Sequence, residues 1–191
     1  MIKKFTGFFA FLFSFTISFS QTNPPAQALP FNLSSQVGAG LPAGVAVHRF
    51  GTTAGAIPTT RTIAPGNGDL PYVATIGSGG WKDESANGLS MLASASQSAG
   101  ALIIAINTTG SSNIDIQWTA RLILQQASWD NNIALQYRIG TTGNFIDIGT
   151  TTTFSTAGQV NGYSQTYLET LPVAAENQAL VQVRFIYWAT A

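Results

Sequence analysis

Asn113-Ile114-Asp115-Ile116-Gln117-Trp118-Thr119-Ala120-Arg121-Leu122-Ile123-Leu124 is the stretch that decides the fold class. Ile114, Ile116 and Trp118 share one phase of a two-residue period. Asp115, Gln117, Thr119 and Arg121 share the other. That alternation predicts a strand with one face in a core and the other in water. Ile133, Leu135, Tyr137 and Ile139 repeat the device downstream, with Gln136 and Arg138 expected to face out. Gly140-Thr141-Thr142-Gly143 then predicts a turn, its glycines able to take positive φ, that leads into a short strand over residues 144–148. Upstream, the continuous apolar run at residues 101–107 is stopped by Thr108-Thr109-Gly110. Two further strands are expected at 163–171 and 179–188, the first ended by Pro172, which cannot donate to a ladder. No amphipathic helix of convincing length appears; residues 89–98 read equally well as a strand after a loop. Turn signals recurring between β-branched runs point to an all-β antiparallel β-sandwich, jelly-roll-like, built as a single domain.

The flanks give the compartment. Lys3 and Lys4 precede a Phe-rich apolar run over residues 5–19, and Ser18 and Ser20 supply small residues before Gln21. This is the pattern of a secretory signal peptide, 1–20, cut after Ser20; the run is too short and too interrupted for a membrane span. Residues 21–30 carry three prolines and form an extended lead-in, and the sandwich occupies 31–191. Between 31 and 71, Gly, Pro, Ala and Thr predict loops and short edge strands. The mature chain is expected to be secreted or at the cell surface, with no transmembrane segment after cleavage.

Composition removes several function classes. Charged residues make up 8% of the chain, against about 25% in ordinary soluble domains, so no positive field exists to meet phosphates and no nucleic-acid partner is expected. Hydrophobic residues at 45% exclude intrinsic disorder. With no cysteine, disulfides, zinc–thiolate sites and thiol catalysis fall together. A secreted chain without cysteine fits a bacterial exporter. Polarity is supplied by Thr, Ser, Asn and Gln, with Thr well suited to a pleated surface.

Ala28-Leu29-Pro30-Phe31, Leu41-Pro42-Ala43-Gly44, Gly68-Asp69-Leu70-Pro71-Tyr72, Gly79-Gly80-Trp81-Lys82-Asp83-Glu84, Ala105-Ile106-Asn107-Thr108-Thr109-Gly110, Leu135-Gln136-Tyr137-Arg138-Ile139-Gly140 and Val181-Gln182-Val183-Arg184-Phe185 follow one another in this order. Together they resemble the stations of a jelly-roll-like β-sandwich module found in secreted and cell-surface proteins of bacteria with type IX secretion. The resemblance implies a module that accompanies nucleases, adhesins or hydrolases and has no single activity of its own. Two departures stand out: Val45 replaces the tryptophan usual after Pro-Ala-Gly, and the chain stops at Ala191, before the Gly-rich loop and acidic strand with which such modules continue. That stop reads as truncation, with additional domains beyond 191 and an apolar last strand expected to make the isolated chain sticky.

Candidate sites are few. A Ser-His-Asp nucleophile would need His48, the only histidine, which has no Gly-x-Ser-x-Gly context. Asp115 and Asp147 lie on polar phases of separate strands and would have to face each other to act as a glycosidase pair. Oxygen-only Ca2+ binding would draw on Asp69, Asp83, Glu84, Asp130 and Asn131, all in expected loops, without EF-hand spacing. The ligand-binding candidates are Trp81 with Lys82, Asp83 and Glu84, and Trp129 with Asp130 and Asn131: an aromatic face for a sugar ring beside groups that grip hydroxyls. Trp118 and Trp188 read as core. The expected role is a non-catalytic extracellular or cell-surface module of adhesion or glycan-binding type, with a structural spacer or a secreted glycan-active hydrolase as the alternatives.

Overall fold

The structure is a computed structural model that describes residues 21–33, 40–50, 61–73, 80–84, 88–92, 100–125, 129–149 and 153–190. The leader expected over 1–20 and residue 191 lie outside these. Among the described residues the strands are β1 (Gln27–Ala28), β2 (Val45–Arg49), β3 (Gly68–Asp69), β4 (Gly80–Asp83), β5 (Leu89–Leu92), β6 (Gly100–Asn107), β7 (Asp115–Arg121), β8 (Asp130–Ile139), β9 (Ile146–Asp147), β10 (Thr153–Ser155), β11 (Ser164–Thr170) and β12 (Val181–Thr190). One large sheet runs β10-β8-β12-β6-β2-β3, with β9 added to β8 and β1 paired parallel to β6. Two antiparallel pairs, β11-β7 and β4-β5, form the opposing layer. The protein is all-β, with antiparallel sheets packed against each other. One 3-10 turn, Val173–Ala175, follows Pro172.

The inner face of the large sheet carries the apolar phases read from the sequence, except that Ile139, expected in the core, is 45% exposed at the end of β8. Leu135, Tyr137, Val181 and Val183 pack with Ile106, Ile114, Ile148 and Leu171. Trp118 stacks on Tyr167 at 4.3 Å and meets Phe185 edge-to-face at 5.3 Å. The turn at 140–143 takes positive φ at Gly140 (76°) and Gly143 (82°), the left-handed region open to glycine.

The outer face departs from expectation. Gln136 and Arg138, expected in water, are 0% and 2% exposed, and Gln182 and Arg184 are 0% exposed. In the β8–β12 ladder Gln136 lies opposite Arg184 and Arg138 opposite Gln182. Each guanidinium therefore faces an amide, and the two cations stay on a diagonal. Arg184 Nε donates to Gln136 Oε1 (2.8 Å), Nη1 to the Ala64 carbonyl (2.7 Å) and Nη2 to the Thr62 carbonyl (2.9 Å). Arg138 Nε donates to Gln182 Oε1 (2.8 Å) and Nη1 to the Gly143 carbonyl (3.0 Å). Asn23 Oδ1 accepts from Gln182 Nε2 at 3.0 Å. Between the cations lies Phe145, its ring centre 3.8 Å from Arg184 Cζ and 4.4 Å from Arg138 Cζ, a cation–π sandwich.

The alternation that predicted exposure is real; the face it marks is roofed by the chain at 21–23, 61–64 and 143–145. Beside this layer Ala46, Ala101, Ile103, Ala134, Ile186 and Trp188 form a second apolar cluster with Phe50. The central sheet is therefore buried on both faces, which is why residues 101–107 run apolar without a break. Burial and the neighbouring Arg138 charge lower Arg184 to about 9, against the opposing pull of Asp147, so it stays protonated at neutral pH.

Arg184→Ala should cost about 3 kcal/mol in urea unfolding, because the Gln136, Thr62 and Ala64 oxygens lose their donor in a buried place. Arg121→Ala, on the exposed phase of β7, should stay within about 0.5 kcal/mol.

Candidate functional site

Trp81, expected in a loop with a free face, lies in β4 and is 6% exposed. It packs with Val47 and Leu70 and meets Tyr72 edge-to-face at 5.1 Å. The loop reading failed because Gly80-Trp81-Lys82-Asp83 is a four-residue strand with charges on its second half, too short for alternation to register. A sugar cannot stack on this ring as it stands. Lys82 Nζ donates to Glu84 Oε2 (3.0 Å) and Ser90 Oγ to Glu84 Oε1 (2.8 Å), so these side chains brace the β4–β5 pair; Asp83 ends β4. Trp129 is half-buried just before β8. Asp130 and Asn131 belong to β8, opposite Thr190 and Ala189, and buried Asn131 accepts the Tyr187 hydroxyl proton. Trp81 packs under β2 and Asp130–Asn131 pair with β12, so the two proposed grips are on different parts of the sheet.

The carboxylates are likewise dispersed. Asp69 accepts the Thr22 amide at 2.9 Å and its hydroxyl at 2.5 Å. Asp115 accepts the Thr170 hydroxyl on the exposed face of the β7–β11 pair. Asp147 accepts from Gln136 Nε2 (2.7 Å) and pairs with Arg61 (3.2 Å) on the far side of the large sheet. Asp115 and Asp147 are therefore separated by both layers and do not face each other. Among the described residues no group of three or more His, Cys, Asp or Glu gathers that could hold a metal ion; the Ca2+ candidates Asp69, Asp83–Glu84 and Asp130–Asn131 sit in three places.

His48 is 1% exposed. Its Nε2 lies 2.7 Å from the Thr22 carbonyl oxygen and donates to it, which leaves Nδ1 deprotonated, buried and without a hydrogen-bond partner. Burial lowers its pKa most; the Thr22 bond and the Asp69 charge oppose this, while the Arg138 and Arg184 charges add to it. The imidazole is a neutral pin that holds the start of the lead-in on the sheet.

What the sequence did not show is a cleft of about 1050 Å³ between the layers. Its floor is Leu102 and Ile104 of β6, Phe185 of β12 and Ile133 of β8, all only half-buried although they sit on the inner face of central strands. Among the described residues the opposing layer leaves a gap over this floor. Tyr167 of β11 clusters with Phe154 of β10, and Trp118 of β7 meets Phe185 of β12. On the other side Trp81 of β4 packs with Val47 of β2, while Met91 of β5 reaches Tyr187 and packs near Leu102. Across the large sheet the second layer thus reads β11, β7, gap, β5, β4. Residues of both β7 and β5 line the gap.

Among the described residues, the wall of the cleft on the β7 side is a strand edge without a ladder partner. The Leu171 amide donates to the Ile114 carbonyl and the Leu122 amide to the Tyr163 carbonyl, both at 2.8 Å. These fix the phase of the ladder: Ile114, Ile116, Trp118, Ala120 and Leu122 bond to β11, while the N–H and C=O of Asp115, Gln117, Thr119 and Arg121 point the other way, into the gap. Among the described residues β7 has no ladder partner except β11, and β5 none except β4.

Comparison with known proteins returns no relative. No family model, no curated protein and no solved structure matches the chain. No helix among the described residues is long and apolar enough to cross a membrane.

The His48 geometry predicts a pH effect. With its folded pKa below the ordinary value, unfolded chains take up the proton first as pH falls through about 6.5. The stability contributed by neutral His48 is full above that pH and is lost progressively below it. His48→Gln, which retains a donor for Thr22, should flatten the dependence of urea midpoint on pH between about 6.5 and 5; an unchanged slope would remove His48 as its source.

Proposed function

We propose that this protein is a non-catalytic module of a secreted or cell-surface protein, of adhesion type, that holds its ligand in the cleft between the two layers. The observation that carries the reading is the half-exposed apolar floor at Leu102, Ile104 and Phe185. Central-strand residues of a two-layer fold are ordinarily the most deeply buried ones, and a contiguous apolar surface left open in a folded chain marks a place where something binds. The leader supports export, and the scarcity of charge supports recognition by apolar contact and backbone hydrogen bonds in place of ion pairs. The jelly-roll-like lineage rests on the ordered motifs of the sequence. Of the residues a catalytic reading would need, His48 and Asp147 hold chain segments to the outer face, and Asp115 accepts the Thr170 hydroxyl on the exposed face of the β7–β11 pair.

Glycan recognition is kept as a second reading at one place, half-buried Trp129 beside Asp130; Trp81 no longer supports it.

Titration with an environment-sensitive apolar dye tests the cleft. The folded protein should bind one dye molecule per chain, and Leu102→Gln should weaken it about fivefold, as expected for losing roughly 1 kcal/mol of apolar contact. Absence of binding, or equal binding by Leu102→Gln, would leave the spacer alternative in its place. A glycan array that lights up with the wild type and goes dark with Trp129→Ala would instead favour the sugar reading.

A further inference from the structure

We propose that the occupant of the cleft is an extended strand of a partner chain, which adds to the free edge of β7 and closes the gap in the second layer. This rests on the cleft being the ligand site and names the class of ligand. Two independent features of the walls point to it. The first is backbone: four successive outward-phase residues, Asp115, Gln117, Thr119 and Arg121, turn their peptide N–H and C=O toward the cleft. Among the described residues these groups have no ladder partner; a row of such donors and acceptors at strand spacing is a template for another strand, and an apolar small molecule leaves it unmet. The second is the floor. In a strand added beside β7, residues opposite Ile116, Trp118 and Ala120 turn inward, over Leu102, Ile104 and Phe185. The alternate residues turn outward beside Gln117 and Thr119. The cleft thus reads an alternating pattern, apolar in and uncharged polar out.

Size agrees. The volume of about 1050 Å³ stands at the top of the range for small-molecule pockets, roughly 300–1000 Å³. The edge of β7 offers seven residues, about 23 Å of extended chain. The far wall is β5, where Leu89 and Met91 lie on the phase not bonded to β4, since the Glu84 amide donates to the Gly88 carbonyl at 2.9 Å. Among the described residues β5 thus also leaves an edge without a ladder partner beside the cleft. Sequence argues for another chain as its source. The mature segments that adjoin the lining residues, Ser34-Ser35-Gln36-Val37-Gly38-Ala39 and Ala93-Ser94-Ala95-Ser96-Gln97-Ser98-Ala99, contain no alternation of large apolar residues to match the floor.

The test uses the whole mature chain and a fluorescent heptapeptide alternating valine and threonine, with the same peptide N-methylated at alternate residues as the control. N-methylation removes backbone donors and keeps every side chain. The parent peptide should bind and displace the apolar dye, and the N-methylated one, which lacks three or four backbone donors, should bind at least about tenfold more weakly. Gln117→Pro deletes one cleft-facing N–H and leaves the bonds to β11, and proline is tolerated at such an edge. It should keep the wild-type circular dichroism and dye binding while losing peptide affinity to a similar degree. Dye binding without displacement by the peptide would overturn strand addition and leave the cleft as an apolar site. Equal binding of the two peptides would overturn it as well, since side chains alone would then account for affinity. Failure of the dye itself would remove the cleft reading and this inference together.

Discussion

The guanidinium of Arg184 is the constraint around which the molecule is arranged. It sits at the centre of the large sheet with no exposed surface, and its hydrogens are taken by the Gln136 side chain and by the carbonyls of Thr62 and Ala64. A buried charge is tolerated only when its donors are met, so the chain at 61–64 must lie across the sheet. Phe145 must fill the space between Arg184 and Arg138, and the lead-in must supply Asn23 and Thr22 to the neighbouring Gln182 and His48. The outer face is thereby closed with polar groups that answer one another. Beside them Ala46, Ala101, Ile103, Ala134, Ile186 and Trp188 pack with Phe50 and Phe145 on that same face, and a separate apolar cluster fills the inner face.

The inner face is covered by an uneven second layer. The β7–β11 and β4–β5 pairs each cover one flank of the inner face, held by Trp118 and Tyr167 on one side and by Trp81 on the other. Trp118 reaches Phe185 and Met91 packs near Leu102, yet Leu102, Ile104 and Phe185 stay only half-covered between them. A sheet sealed on one side and open along its midline on the other has a binding direction built into it. The low charge of the chain belongs to the same design: hydroxyls and amides on the wet faces, carbonyls as the partners of the buried arginines, and a cleft whose polar wall is peptide backbone.

Most of the strand layout was legible in the sequence. Alternation at Ile114, Ile116 and Trp118 marked β7 and its inward face, and the glycines at 140 and 143 marked the turn after β8. The same rule misassigned Gln136 and Arg138, because alternation reports which residues share a face and not what covers that face. The cover comes from residues 61–64, more than seventy positions away, and from the lead-in. Trp81 was misread for a different reason: β4 is four residues long, and its Lys82 and Asp83 resemble a loop. The cleft was not legible at all. It is an absence in the packing of two distant strand pairs, and no local pattern in the sequence records the distance between β7 and β5.

The account turns on the edge of β7, which has no ladder partner but β11 among the described residues, and residue-resolved amide hydrogen exchange of the free protein measures that directly. The amides of Trp118 and Ala120, bonded to β11, should be protected, while those of Gln117, Thr119 and Arg121 should exchange about 100-fold faster or more, giving a two-residue alternation along one strand. Equal, slow exchange at all five positions would mean that the edge is already filled within the chain, and would contradict the account.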